Sequence, residues 1–297
     1  MSEALRQIVD SELLARLAGM DFRVGQAVHG VLNGQHKSPY HGASVEFAQH
    51  RDYAPGDEPR HIDWKAYGKS DRLYVKQFEN ETNLLVHLLL DTSGSMGYGR
   101  KGLPDKLTYA ARLAAALAWL LLRQGDAVGL MTFGERIGQV IPPRARADHF
   151  WHLVRLMESS PSTGETNVTG ALEHLAEVIG RRSLVVLLSD CLDRDEKFIA
   201  LARQLQRRGH RVLVFHVLDP DELEFPFSEL TLFEEMESDQ RALADPRGMR
   251  DQYLVEFAAW CEGLRRRLLE GNVGYHRVVS SDSLERSLYG FLARSAR

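Results

Sequence analysis

Cysteine is scarce in this 297-residue chain, which has only Cys191 and Cys261. Two cysteines build neither a disulfide framework nor a four-ligand zinc set, and their number fits a reducing compartment. Long apolar runs are also missing. The most apolar helix candidate, 113–122, is flanked by Arg112 and Arg123 and is too short for the roughly 20 residues of a membrane span. These absences, together with the lack of an apolar signal region at the N-terminus, predict a cytoplasmic protein without a membrane segment.

Charge of one sign is not in excess either. Lys and Arg number 37, Asp and Glu 41, and the net charge is −4, so no basic field indicates a nucleic-acid partner. No phosphate-binding Gly-x-x-x-x-Gly-Lys-Ser/Thr motif occurs, which excludes a P-loop ATPase. Residues 97–102 do spell Gly-x-Gly-x-x-Gly. They begin several residues beyond a strand and lack the acidic residue that a dinucleotide-binding site needs further on.

From residue 83 onward, short apolar runs alternate with segments of helical period, which predicts βαβ units and a mainly parallel sheet. We expect an α/β fold, doubly wound, with helices flanking the sheet. One segment near 230–250 breaks the alternation and predicts an inserted hairpin. The predicted strands are 84–90, 126–133, 136–141, 184–189, 212–218 and 273–279, and the predicted helices are 104–123, 147–158, 168–179, 197–208, 253–269 and 284–292.

The first 82 residues have a different character. Residues 2–17 have helical spacing, whereas 19–82 are rich in Gly, Pro, His and aromatic residues, with one alternating strand at 73–79. We expect two parts: residues 1–82, an N-terminal helix followed by loops and short strands that pack on the sheet, and residues 83–297, the α/β domain.

The most distinctive chemical motif follows the first predicted sheet strand. Asp91, Ser93 and Ser95 come directly after the apolar run 84–90, at the sheet edge where open α/β folds bind ligands. One carboxylate and two hydroxyls at alternate positions suit a small hard cation. The motif Asp-x-Ser-x-Ser is the signature of a metal-ion-dependent adhesion site, and the chain here resembles a von Willebrand factor A domain.

This resemblance implies two further site residues. Thr166, in a polar loop before a helix, matches the residue that supplies a third hydroxyl, and Asp190 matches the second aspartate. The three hydroxyls would bind Mg²⁺ (or Mn²⁺ or Ca²⁺) directly, while Asp91 and Asp190 orient them and the bound waters. One coordination position would remain for an acidic residue of a partner protein. The chain has Cys191 after Asp190, where the family often has glycine.

A second motif lies before the sheet and narrows the resemblance. It is similar to the signature of the domain-of-unknown-function 58 family, whose members carry it directly before a von Willebrand A-like domain. The family is commonly encoded beside MoxR-type AAA+ ATPases and is thought to act with them on other proteins. The matching residues are His36, Ser38, Pro39, Gly42, Ser44, Glu46, Phe47, Arg51, Tyr53, Pro55, Gly56, Asp57, Arg60, Ile62, Asp63 and Trp64.

Three functional hypotheses follow. The first is a non-catalytic, metal-dependent interaction module, an adaptor between a MoxR-type AAA+ ATPase and a client protein that gives an acidic residue to the metal. The second is a metal-dependent hydrolase that uses the same pocket. The third is a vestigial site in a purely structural partner, which the replacement of glycine by Cys191 motivates.

Overall fold

The computed structural model describes residues 8–9, 46–53, 62–70, 72–79, 84–180, 182–193, 197–237 and 241–288. The chain forms two compact units, Asn33–Asn83 in one and Met1–Leu32 with Leu84–Arg297 in the other. Across the described residues, no helix has the length and apolar character that crossing a bilayer demands.

The described part of the smaller unit contains an antiparallel pair of strands, β1 (Glu46–Asp52) and β2 (Tyr74–Glu79), and the helix α1 (Trp64–Ser70). Asp63 precedes the helix, and its Oδ1 accepts the amides of Lys65 and Ala66, as a capping residue does. The strand predicted at 73–79 is therefore present. Helix α1 was not predicted, because its seven residues are too few to show a helical period.

The larger unit is built on a six-stranded sheet in the order β10-β7-β6-β3-β4-β5. Five strands run parallel, and β5 pairs antiparallel with β4 at one edge. The strands are β3 (Leu85–Asp91), β4 (Ala127–Phe133), β5 (Ile137–Arg144), β6 (Ser183–Ser189), β7 (Arg211–Leu218) and β10 (Gly274–Val279).

Helices cover both faces of this sheet. Alternate residues of β3 and β6 enter opposite core layers, as the period of a fully buried strand requires. Helices α2 and α3 form the layer on one face, and α4, α5 and α7 contribute to the layer on the other. The helices are α2 (Lys106–Arg123), α3 (His149–Ser159), α4 (Val168–Val178), α5 (Lys197–Arg207), the short α6 (Pro220–Glu224) and α7 (Arg250–Glu270).

The predicted fold class is confirmed, and the hairpin predicted near 230–250 is present. That hairpin consists of β8 (Thr231–Glu234) and β9 (Arg241–Ala244), which pair with each other and, among the described residues, with no other strand. The short helix α6 was not predicted. Most of the predicted helix 2–17 lies outside the described residues, although Ile8 and Val9 are buried in the α2 layer. Of the predicted helix 284–292, residues 284–288 are helical and the rest lies outside the description.

The edge strand β5 carries two consecutive prolines, Pro142 and Pro143. Gly129 on β4 lies so close to β5 that a side chain there would meet the Ile141 carbonyl at 2.7 Å and Pro143 at 2.8 Å. Pro143 therefore lies against the one glycine of β4, and the edge strand β5 packs tightly on β4.

Candidate metal centre

Asp91 is the last residue of β3 and is completely buried. Its Oδ1 accepts the Ser93 amide at 2.9 Å, and its Oδ2 accepts the hydroxyls of Thr166 at 2.9 Å and Ser189 at 2.6 Å. Burial, followed by the nearby Asp190 carboxylate, raises the pKa of Asp91 to about 7, against the opposing effect of the hydrogen bonds from Ser189 and Ser93. A cation bound beside it would favour the ionised form.

Ser93 and Ser95 lie on the turn that follows β3, where residues Gly94–Gly97 form one 3-10 turn. Both serines are buried, and their hydroxyl oxygens are 3.2 Å apart. Two adjacent ligands of an octahedral Mg²⁺ ion, each at about 2.1 Å, stand about 3 Å apart. The spacing of the two hydroxyls therefore fits a shared ion.

Thr166 reaches the same place from the loop before α4. Backbone hydrogen bonds hold that loop against the β3 turn, from the Gly94 amide to the Gly164 carbonyl at 2.8 Å and from the Thr163 amide to the Thr92 carbonyl at 2.9 Å. Because Thr166 donates its hydroxyl proton to Asp91, its oxygen lone pairs remain available to a cation.

Asp190 follows β6, which is the neighbour of β3 in the sheet, and it is also completely buried. Its Oδ2 accepts the Lys106 ammonium at 2.8 Å, and its Oδ1 accepts the Leu192 amide at 3.3 Å. Burial by itself would raise the pKa of Asp190, but the Lys106 charge outweighs it and the net direction is downward. Ser95 also donates toward this carboxylate and so joins Asp190 to the serine turn.

The five residues predicted from sequence thus lie together at the carboxyl edge of the sheet. The Ser93 and Ser95 hydroxyls adjoin each other, the Thr166 hydroxyl joins them through Asp91, and the two aspartates accept hydrogen bonds from hydroxyls and amides around them. This donor set fits a small hard cation, with the hydroxyl oxygens as its ligands and the aspartates as the groups that orient them. Among the described residues, no group of three or more His, Cys, Asp or Glu offers an alternative metal site.

Cys191 occupies the position where the resemblance leads one to expect glycine. Its φ is 57°, in the left-handed region that glycine adopts without strain. Its amide donates to the Ser189 hydroxyl at 2.9 Å, and this hydroxyl in turn donates to Asp91. The backbone shape of a glycine turn is therefore kept, and Ser189 is linked to Asp91 despite the substitution.

Lys106 is a site residue that the sequence prediction missed. It begins α2, only 1% of its side chain is exposed, and it pairs with both Asp190 and Glu222, the latter at 2.6 Å. These two carboxylates raise its pKa against the effect of burial. A sequence signal existed, because Lys106 lies on the same helical face as Tyr109 and Leu113, which both belong to the core. A lysine in an apolar stripe indicates a buried partner.

Glu237, in the turn that follows β8, was also missed. Its Oε2 lies 3.4 Å from the Thr166 amide, which donates to it. Its position had no local sequence signal, since it lies in a polar turn far along the chain from the motif. Beside it, a cavity of about 370 Å³ lies between the hairpin and the site; its lining includes Ser95, Lys106, Phe233, Met236 and Glu237.

Comparison with known families identifies the chain. The family model described as "Protein of unknown function DUF58" matches residues 49–259. The chain belongs to the DUF58 family. An uncharacterized protein of Mycobacterium bovis is 28% identical over 222 residues, which make up 74% of this chain and 69% of that protein.

Solved structures similar to this DUF58 chain include BatB from Bacteroides thetaiotaomicron, a conserved hypothetical protein, and the SpRpn10 VWA domain. BatB is 17% identical with a TM-score of 0.47, over 72% of this chain and 98% of BatB. The VWA domain is 12% identical with a TM-score of 0.42, over 70% of this chain and 95% of that domain.

Proposed function

We propose that Ser93, Ser95 and Thr166, oriented by Asp91 and Asp190, hold a Mg²⁺ ion (or Mn²⁺ or Ca²⁺) and that the protein is a non-catalytic, metal-dependent protein–protein interaction module. The observation that carries this proposal is the convergence of three neutral hydroxyls at one sheet edge, with both aspartates engaged in orienting contacts.

The choice of ligands explains how such a site recognises a partner. Hydroxyls bring no charge, and the Asp190 charge is offset by Lys106. A Mg²⁺ ion held here keeps most of its positive charge and offers a position to an anionic oxygen. Ser93 and Ser95 fix the direction of that position, so a Glu or Asp of another protein would be bound through the metal.

The partners follow from the family resemblance. We infer that the protein works with a MoxR-type AAA+ ATPase as an adaptor that presents client proteins for assembly or maturation. Membership of the DUF58 family supports this assignment, because the resemblance implies such an ATPase as neighbour and co-worker. The cytoplasmic location predicted from sequence belongs to the same proposal.

The test is a capture experiment from native lysate with the tagged protein, in Mg²⁺ and in chelator, read by mass spectrometry. The Asp91→Ala variant removes the carboxylate that orients Ser93 and Thr166 and should lose the partner as the chelator does. Asp148→Ala is the matched control, since Asp148 is exposed and pairs only with Arg146 in the described structure. Circular dichroism checks that each variant is folded.

An ATPase or a client that is retained equally in chelator and in Asp91→Ala would contradict the metal-bridged module. A separate screen of phosphoester, ester and peptide substrates addresses the hydrolase hypothesis. Turnover that disappears in Asp190→Ala would replace the present proposal with an enzyme.

A further inference from the structure

The Glu237 carboxylate is the unexplained group beside the proposed metal centre. Its Oε2 accepts the Thr166 amide, but its Oε1 is buried and has no hydrogen-bond donor. Burial raises the pKa of Glu237, while the Ser95 hydroxyl and the Thr166 amide act in the opposite direction. The carboxylate therefore contacts two of the three residues that supply hydroxyl ligands.

A buried carboxylate oxygen without a partner is costly, because it loses its hydration and gains no hydrogen bond in return. Native proteins keep such an atom where a water, an ion or a function accounts for it. Here the carboxylate interacts with Ser95, whose hydroxyl spacing to Ser93 fits a hard cation, and carboxylate oxygen is the ligand that Mg²⁺ prefers. A cation among Ser93, Ser95 and Thr166 would supply the missing partner of Oε1.

We propose that Glu237 is a metal ligand that the chain supplies to its own site, in the coordination position that a partner's acidic residue takes on binding. This inference rests on the proposed function, because it presupposes the metal. If Glu237 is a ligand, a carboxylate from another protein binds the metal only by displacing Glu237, so the partner competes with the hairpin for this coordination position.

The hairpin backbone approaches the metal centre closely enough for this role. A side chain on Gly94 would meet the Met236 carbonyl oxygen at 2.2 Å and the carbonyl carbon at 3.0 Å, so the absence of a Cβ at Gly94 is what admits the turn. Met236 directly precedes Glu237. The glycine of the Asp-x-Ser-Gly-Ser motif thus serves the approach of the hairpin as well as the turn itself.

The same hairpin lies outside the six-stranded sheet. It forms a separate two-stranded sheet, and such a hairpin has little stability of its own. Leu232 is 51% exposed and Leu243 is 65% exposed, so neither fixes the hairpin in the core. Phe233 packs against the rings of Phe225 and Phe227, whereas the turn that carries Glu237 borders the cavity.

The first test is calorimetric titration of Mg²⁺ and Mn²⁺ into the metal-stripped full chain and its variants. Glu237→Gln keeps the shape but removes the anionic oxygen, and Glu237→Asp keeps the charge but shortens the reach. Both should weaken metal binding at least tenfold. The control is Glu229→Gln, because Glu229 is an exposed carboxylate that lies just before the same hairpin.

The outcomes separate this inference from the proposed function. If the wild-type chain and all variants fail to bind metal, the proposed function fails and the Glu237 assignment fails with it. If the wild-type chain binds metal, Asp91→Ala does not, and both Glu237 variants bind as tightly as wild type, the metal centre stands and Glu237 is not a ligand. Thermal unfolding confirms that each variant is folded.

A second measurement reads the coordination shell itself. Water-proton relaxation of the Mn²⁺-loaded protein reports the number of waters bound to the metal. Glu237→Gln should gain about one metal-bound water over wild type, because one ligand position becomes open to solvent, whereas Glu229→Gln should not. An unchanged water number in Glu237→Gln would overturn the assignment.

Discussion

Lys106 Nζ lies 2.8 Å from Asp190 Oδ2, and both side chains are closed off from solvent. The same ammonium lies 2.6 Å from Glu222 Oε1. One lysine at the start of α2 thus joins the strand end of β6 to helix α6, and the charge of Asp190 depends on it. The Lys106–Asp190 ion pair therefore contributes both to the proposed metal centre and to the stability of the fold.

Replacing Lys106 by Met should therefore lower the free energy of unfolding by about 3–5 kcal/mol, because Asp190 would remain buried without its counter-charge. Urea unfolding measures the loss. Adding Asp190→Asn to Lys106→Met should recover part of the lost free energy of unfolding. The double variant should therefore be clearly more stable than the sum of the two single losses would make it. Lys101→Met, at an exposed lysine before the same helix, is the control and should change little. Additive effects would show that the pair does not couple.

Asp126 is buried at the start of β4, and its Oδ1 accepts the Leu84 amide at 2.9 Å. Burial raises the pKa of its carboxyl from 3.8 to about 6. Between about pH 4 and pH 6 the Asp126 carboxyl is therefore protonated in the folded protein but ionised in the unfolded chain. The free energy of unfolding falls as the pH rises through this range. Asp126→Asn keeps the acceptor without the charge. It should stabilise the protein by about 1–2 kcal/mol at pH 7.5 and by almost nothing at pH 4.

Chemical unfolding at the two pH values checks this prediction. Asp148→Asn, at an exposed carboxylate, should give no such gain at pH 7.5. An equal effect of Asp126→Asn at both pH values would mean that burial of the charge is not its cause.

His87 on β3 gives the stability the opposite pH dependence to that of Asp126. Burial, with a smaller contribution from His210, lowers the pKa of His87 from 6.5 to about 4. The folded protein accommodates only the neutral imidazole of His87. Its contribution to the free energy of unfolding is therefore fully present above pH 6.5 and is lost as the pH falls toward 4. His87→Gln should flatten this part of the stability curve by roughly 1–2 kcal/mol, allowing for its partial exposure. A stability curve of His87→Gln that falls below pH 6.5 as steeply as that of wild type would contradict the assignment to His87.

Gly94→Ala should displace the β8–β9 hairpin, because the new Cβ would meet the Met236 carbonyl oxygen at 2.2 Å. Hydrogen exchange of the hairpin amides should become several times faster while the sheet core is unchanged. Gly180→Ala is the matched control, since nothing lies within 4 Å of the added methyl group. Unchanged hairpin exchange in Gly94→Ala would show that the turn adapts without moving.

The sheet could be predicted from sequence because β3 and β6 are apolar runs that end in Asp91 and next to Asp190. Parallel strands bring their carboxyl ends to one edge, so a local pattern was enough to place Asp91, Ser93 and Ser95 close to residues almost a hundred positions away.

Lys106 and Glu237 show where such prediction stops. Lys106 reaches the site from a helix N-terminus, and only the packing of α2 on the sheet determines that its amine meets Asp190. Glu237 arrives from a hairpin inserted after β7, and its position depends on the close approach to Gly94. Neither contact follows from strand order. Helix α1 was missed for a different reason, since seven residues held by the Asp63 cap show no period.

The two prolines of β5 have a consequence for how copies of this protein meet. β5 is an edge of the six-stranded sheet, and a strand edge with free amides invites another chain to extend the sheet. Pro142 and Pro143 have no amide hydrogen to donate. Over this stretch the edge cannot continue a regular ladder, so the fold protects itself here against intermolecular β-pairing and aggregation.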